Sequence, residues 1–182
     1  MRFATLQWLF PVVVTLHNLE EALWLPAWAN RTGFWRTPVS PRFFRFVVAV
    51  LTALALAVTW LSARSGAQTP WTYLMFGCMV ATLANAVYPH LALSISRRSY
   101  MPGTATAVAL NLPVLSFLVA SALSERQVSG WKSVAYAAGV PALLLLSLVV
   151  LFKPGRLESL NERRRLFVPS LPKLQTNKRR II

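Results

Sequence analysis

Five long apolar stretches constrain the fold of this sequence more than any other feature. Each holds about 20 residues, the length that an α-helix needs to cross the hydrocarbon core of a membrane. Hydrophobic residues make up 55% of the 182 residues and charged residues only 13%, whereas a soluble domain carries about 25% charged residues. We therefore predict an all-α fold, a polytopic membrane protein whose five transmembrane helices form one bundle. The predicted spans cover residues of about 6–27, 43–63, 71–95, 101–123 and 131–152.

The chain divides into two regions of different composition. Residues 1–152 hold the five apolar stretches and form the predicted transmembrane domain, and residues 153–182 form a basic tail. The net charge is +14, which in a soluble chain would indicate a nucleic-acid partner. The apolar stretches argue against that partner. We expect instead that the tail lies in the cytoplasm, fixes the topology and contacts anionic lipid head groups.

Lys and Arg are distributed unequally between the two ends of the predicted spans. With five spans, one side of the membrane carries four of the 19 basic residues, and the other side, which includes the tail, carries fifteen. Cytoplasmic loops carry the excess of Lys and Arg in membrane proteins. We therefore predict a multi-pass protein of the cytoplasmic (inner) membrane, with its N-terminus outside and its C-terminus in the cytoplasm.

Three ionisable residues lie inside the first apolar stretch: His17, Glu20 and Glu21. In a helix, separations of three and four residues place both carboxylates beside the imidazole on one face. A charged side chain near the bilayer centre costs about 2.5–3.5 kcal/mol on insertion scales, and such residues normally face the bundle interior and mark functional sites. Signal peptides avoid such groups in their apolar core, so we expect this stretch to be a membrane span.

The third apolar stretch supplies the expected partners, Asn85 and His90. Pro89 removes a backbone hydrogen bond and predicts a kink beside His90. With a rise of ~1.5 Å per residue, both side chains reach the depth of the first cluster, in the cytoplasmic half of the bundle. The fourth stretch begins on the same side with Pro102 and Gly103, where proline suits a helix start and glycine allows a close approach.

Two imidazoles and two carboxylates are a ligand set that suits zinc or non-haem iron. In this interpretation His17, Glu20 and His90 are the metal ligands, Glu21 is the catalytic base, and Asn85 binds the substrate or supports a ligand. The leading functional prediction is an intramembrane enzyme that acts on a lipophilic small-molecule substrate, surrounded by membrane lipid, with Zn or Fe as the expected cofactor.

Two other interpretations stay open at the level of the sequence. Without a metal, Glu20 or Glu21 can donate a proton to an olefin or a similar group, as in an isomerase or cyclase. Alternatively, the polar residues only pair with one another and stabilise helix packing. The protein is then a non-catalytic membrane protein, either lipid-binding or associated with a transporter, so the sequence leaves open whether this is an enzyme.

The segment His17-Asn18-Leu19-Glu20-Glu21 resembles the signature of the HXXEE-motif family of bacterial and archaeal integral membrane proteins. That family is also marked by a later Asn and His, which Asn85 and His90 match, and by a segment similar to Tyr-Met-Pro-Gly-Thr at 100–104. The resemblance covers roughly residues 6–152 and leaves the basic tail outside. It implies no established activity, only that an enzymatic role has been suspected.

Overall fold

The computed structural model describes residues 2–35 and 39–151, and over these ranges the chain forms helices and no strand. A single helical turn, Phe3–Leu6, precedes the long helices. The all-α prediction is confirmed, and the predicted basic tail at 153–182 lies outside the described residues. The five long helices are α1 (Leu9–Thr32), α2 (Pro41–Ser65), α3 (Pro70–Ser96), α4 (Thr104–Ser124) and α5 (Gly130–Leu151).

Four helices of the described chain, α2 to α5, are long and apolar enough to cross a membrane. Helix α1 is long enough, with 24 residues, but it is not among them. Its middle carries His17, Asn18, Glu20 and Glu21, which lower its mean hydropathy. By length and hydropathy, the prediction of five spans is therefore corrected to four. The membrane localisation of the protein is supported by those four helices.

Helices α3 and α4 each contain a π-helical segment, Ala86–Leu91 in α3 and Ala107–Leu115 in α4. The backbone of α3 leaves helical geometry at Tyr88, where φ is −133° and ψ is 122°, and the peptide bond from Tyr88 to Pro89 is cis. The kink predicted near Pro89 is confirmed. The kinked segment of α3 packs against the π-helical segment of α4, and π-helical turns are frequent at functional sites.

Helix α3 is the centre of the bundle. Helices α2 and α4 each pack against both α1 and α3, and α5 packs against α3. The contact between α3 and α5 is close because Gly77 has no side chain. A Cβ atom at Gly77 would lie 2.6 Å from Cγ2 of Val140 and 2.7 Å from the carbonyl oxygen of Tyr136.

Within the described part of the chain, two apolar clusters form the core, and they contact α1 at different positions along its axis. The larger cluster includes Val14, and the smaller cluster includes Leu25. His17 and Glu20 are buried between these two positions along α1. The fold therefore places a polar layer between two apolar layers, at the level of the break in α3.

Candidate metal centre

The carboxylate of Glu20 is bound at the start of α4. Its Oε1 accepts hydrogen bonds from the backbone N–H of Gly103, at 2.7 Å, and from the hydroxyl of Tyr100. Its Oε2 accepts hydrogen bonds from the backbone N–H of Thr106, at 3.0 Å, and from the Thr106 hydroxyl, at 2.6 Å. Four donors engage both oxygens of this carboxylate, so Glu20 joins α1 firmly to α4.

Glu20 acts as a helix cap that comes from a different helix. The first backbone N–H groups of a helix have no partner within it and carry partial positive charge, which favours a carboxylate there. Gly103 precedes α4 with a φ of +97°, a conformation that suits glycine. Burial and the hydrogen bond to Glu20 raise the pKa of Tyr100 to about 12, so its hydroxyl stays a donor at neutral pH.

The imidazole of His17 is buried and has a polar neighbour at each ring nitrogen. Its Nδ1 lies 3.0 Å from Oγ1 of Thr106, and its Nε2 lies 3.3 Å from Nδ2 of Asn85. An amide nitrogen can only donate a hydrogen bond. The Nε2 atom of His17 is therefore the acceptor in the contact with Asn85 and carries a lone pair.

Glu21 lies beside both imidazoles. Its Oε1 is 2.9 Å from Nε2 of His90 and 3.7 Å from Nε2 of His17. The angle between the His90 ring and this carboxylate oxygen is unsuitable for a hydrogen bond. Neither ring nitrogen of His90 therefore has a hydrogen-bond partner among the residues that the structure describes. His90 is only 1% exposed, and buried polar atoms without a partner are rare. The ring nitrogens of His90 are therefore available to a ligand.

His17, Glu21 and His90 each offer one ligand atom, and these three atoms lie within 4.8 Å of one another. The two imidazoles meet edge to face, with ring centroids 4.8 Å apart and an interplanar angle of 88°. Ligand atoms of a tetrahedral zinc ion lie about 3.3 Å apart, given its bond lengths of about 2.0–2.2 Å. The distances of 2.9 Å and 3.7 Å from Glu21 lie on either side of that value.

The structure brings together four of the five residues that the sequence nominated: His17, Glu21, Asn85 and His90. From the sequence, we predict that Glu20 binds the metal together with the two histidines and that Glu21 is the catalytic base. In the structure Glu21 occupies the position beside both imidazoles, whereas the lone pairs of Glu20 are engaged by donors at the start of α4. The two adjacent carboxylates of the motif therefore lie in different surroundings.

The sequence interpretation assigned no role to Thr106 or Tyr100, which both contact the site. The Pro-Gly-Thr segment suggested only a close approach at the start of α4. Thr106 lies 89 residues from His17 along the chain, so no local spacing could reveal their contact. For Thr106 the available signal was the preference for threonine near helix N-termini, where its hydroxyl and N–H can bind a partner. For Tyr100 it was the place of this residue in the family-like segment at 100–104.

These features define the class: an all-helical protein with four membrane-type helices and a buried His/Glu cluster among the described residues. The family described as "Protein of unknown function with HXXEE motif" matches residues 8–118. The chain is also 33% identical over 151 residues to the uncharacterized protein YrkK of Bacillus subtilis (strain 168), in an alignment that covers 80% of this chain and 92% of YrkK. No solved structure matches the chain. The chain belongs to the HXXEE-motif family, as its motif predicted.

Proposed function

We propose that His17, Glu21 and His90 bind a divalent transition-metal ion, and that the protein is a membrane enzyme that uses this centre on a lipophilic substrate. The observation that carries the proposal is the convergence of the three ligand atoms within 4.8 Å. Nε2 of His17 and Oε1 of Glu21 are both acceptors and lie 3.7 Å apart, so a cation between them relieves their repulsion. His90 adds a third atom with no hydrogen bond to the described residues.

The ligand set supports a catalytic ion more than a structural one. Structural zinc sites use four protein ligands, whereas catalytic sites use three, such as two His and one Glu, and leave a position for water or substrate. Two His and one carboxylate also bind non-haem Fe(II). When bound at these residues, such an ion would supply Lewis acidity and would lower the pKa of water at the open position. A metal ion at Nε2 of His17 would take the lone pair to which the Asn85 amide donates and would release that amide, so Asn85 is the residue we assign to hold the substrate.

We include α1 in the membrane as a fifth helix. Its polar residues His17 and Glu20 are buried, and from Leu9 to Trp24 its large exposed side chains are apolar, as expected for a helix that faces lipid. These exposed side chains are Leu9, Val12, Leu16, Leu19, Leu23 and Trp24. With five spans, the excess of basic residues favours an N-terminus outside and a C-terminus in the cytoplasm of an inner-membrane protein.

The position of the cluster supports a lipophilic substrate. The cluster lies between the two apolar core clusters on α1, and Glu21 is its partly exposed member. A substrate that reaches Glu21 between membrane helices passes through apolar surroundings. A molecule that partitions into lipid does this without the desolvation that a polar solute requires.

Metal analysis of protein extracted in mild detergent without a chelator tests the metal centre. We expect about one equivalent of Zn or Fe per chain, and less than about a tenth of an equivalent in Glu21→Gln and His90→Gln, because each change replaces one of the three ligands with a neutral amide that binds such metals weakly. Glu125→Gln is the control for the loss of a partly buried carboxylate, since Glu125 accepts the backbone N–H of Phe3 at 3.0 Å and lies away from the cluster. Wild-type protein that stays metal-free after incubation with Zn²⁺ and Fe²⁺ contradicts the metal centre.

The 2.9 Å separation between His90 Nε2 and Glu21 Oε1 favours a second candidate, metal-free acid–base chemistry by this pair. Untargeted mass spectrometry of lipid extracts from cells that produce the wild type or Glu21→Gln tests the enzymatic role shared by both candidates. We expect lipophilic species that change only with the wild type, and identical extracts contradict an enzyme. Loss of the change on chelator treatment supports the metal form, and its persistence supports the metal-free form.

A further inference from the structure

We infer that Glu20 and Thr106 are positioning residues that hold His17 as the tautomer with its proton on Nδ1, so that the Nε2 lone pair faces Glu21 and His90. This inference rests on the proposed metal centre for its purpose, but the tautomer itself follows from hydrogen bonds on both sides of the ring. It gives the two adjacent carboxylates of the motif separate tasks.

The first side of the ring faces Asn85. Nδ2 of Asn85 lies 3.3 Å from Nε2 of His17 and can only donate. If Nε2 of His17 carried a proton, its N–H and the Asn85 amide would be two hydrogen-bond donors in contact with no acceptor between them. The proton of a neutral His17 therefore belongs on Nδ1.

The second side of the ring faces Thr106. Oγ1 of Thr106 lies 3.0 Å from Nδ1 of His17 and 2.6 Å from Oε2 of Glu20. The threonine hydroxyl has one proton, and the ionised carboxylate at 2.6 Å is a stronger acceptor than the carbonyl of Gly103 at 3.3 Å. With that proton directed to Glu20, the hydroxyl oxygen accepts a proton from Nδ1 of His17.

Glu20 is able to orient this hydroxyl because it is itself held in place. Backbone N–H groups of Gly103 and Thr106 fix one oxygen each, at 2.7 Å and 3.0 Å. Metal-binding histidines generally donate their other ring N–H to a carboxylate or carbonyl, which fixes the tautomer and the ring orientation. In this protein the threonine hydroxyl stands between the imidazole and the carboxylate.

The spacing of the motif follows from this arrangement. Glu21, four residues after His17, lies directly beside its Nε2, while Glu20, three residues after His17, acts on its Nδ1 through Thr106. The competing explanation is that Glu20 and Thr106 only fasten α1 to α4. That explanation predicts a loss of stability on substitution but no change in the tautomer of His17.

The tautomer is measured by two-bond ¹⁵N–¹H correlation spectra of protein labelled with ¹⁵N-histidine. The chain has only two His, so His90→Gln leaves His17 as the single signal for assignment. We expect the Nδ1–H form in metal-free wild type and in Thr106→Ser, and its partial or complete loss in Thr106→Val. Thr82→Val is the matched control, because the Thr82 hydroxyl donates to Cys78 within its own helix. An Nε2–H form in the wild type overturns the inference, and it does so even if Thr106→Val fails to fold.

Zn²⁺ titration against a competing chelator gives the second readout. We expect the affinity for Zn²⁺ to be about 10–100-fold weaker in Thr106→Val and Glu20→Gln. This is the usual loss when a residue that hydrogen-bonds to a metal ligand is substituted. Thr106→Ser and Thr82→Val should stay within about threefold of the wild type, since both keep the hydroxyl beside His17. Equal affinity of Thr106→Val and wild type contradicts the inference. A wild type that binds no Zn²⁺ but shows the Nδ1–H form contradicts the proposed function and supports the positioning role.

Discussion

Gly103 lies directly against the imidazole of His90. A Cβ atom on Gly103 would be 2.3 Å from Cε1 and 2.7 Å from Nδ1 of that ring. The same residue caps α4 with a φ of +97° and donates its N–H to Glu20. One glycine therefore packs against a candidate ligand, His90, and binds the carboxylate of Glu20.

We predict that Gly103→Ala destabilises the fold and displaces His90 from the cluster. The left-handed φ costs about 1–2 kcal/mol for a residue with a Cβ, and overpacking adds about 1–3 kcal/mol. Thermal unfolding in detergent and metal content measure the two effects. The control is Gly33→Ala, since Gly33 has a φ of +64° but no described atom within 4 Å of a Cβ. This control should lose only about 1–2 kcal/mol in unfolding free energy and match the metal content of the wild type. Equal metal content in both variants would show that His90 does not depend on this contact.

The two carboxylates of the motif should respond differently to the same change. Glu20→Gln removes the charge from a buried group that binds four donors, so we expect a loss of about 2–4 kcal/mol in unfolding free energy. Glu21→Gln should cost about 1 kcal/mol or less in metal-free protein, because among the described residues its carboxylate pairs with the two imidazoles alone. Chemical unfolding of the metal-free forms measures this order, and the reverse order contradicts the assignment of the carboxylates.

A third prediction concerns Gly77, which lies away from the His/Glu cluster, so that a substitution there should change stability and leave the cluster unchanged. Gly77→Ala places a Cβ against Val140 and the backbone of Tyr136, where a rigid carbonyl cannot move aside. We expect a loss of about 1–3 kcal/mol from strain between α3 and α5, with metal content unchanged. Adding Val140→Ala should restore part of the stability because it relieves one of the two contacts. If the double variant is no more stable than Gly77→Ala alone, the contact with the Val140 side chain is not the source of the strain.

The membrane position of α1 is tested by cysteine labelling. Cys78 is the only cysteine, so Cys78→Ser gives a background for new ones. We expect that Leu16→Cys resists a membrane-impermeant maleimide, because lipid would cover the exposed side of Leu16 if α1 spans the membrane as proposed. Ala67→Cys, in the exposed loop after α2, should react in intact cells, and Ser99→Cys, in the loop after α3, only after permeabilisation. Labelling of Leu16→Cys as fast as Ala67→Cys would place α1 in water.

Much of the fold could be predicted because it depends on local properties of the chain. Long apolar runs predicted α2 to α5, and Pro89 predicted the break in α3, since a proline removes a backbone hydrogen bond wherever a helix contains it. Helix α1 is less apolar than the other four because His17 and the two glutamates lower its mean hydropathy, and the prediction of a membrane span depends on that hydropathy. Those same residues located the candidate site.

The sequence by itself determined that His17, Glu20 and Glu21 share one region of a helix and that Asn85 and His90 belong with them. Only the tertiary structure decided which carboxylate joins the histidines. Adjacent residues differ by about 100° around a helix axis, so Glu20 and Glu21 face different neighbours once the helix is packed. The start of α4 takes Glu20 through Gly103 and Thr106, while the break in α3 brings His90 to Glu21. These contacts join residues about 70–90 positions apart, and the rotation of each helix is set by packing between helices rather than by local spacing.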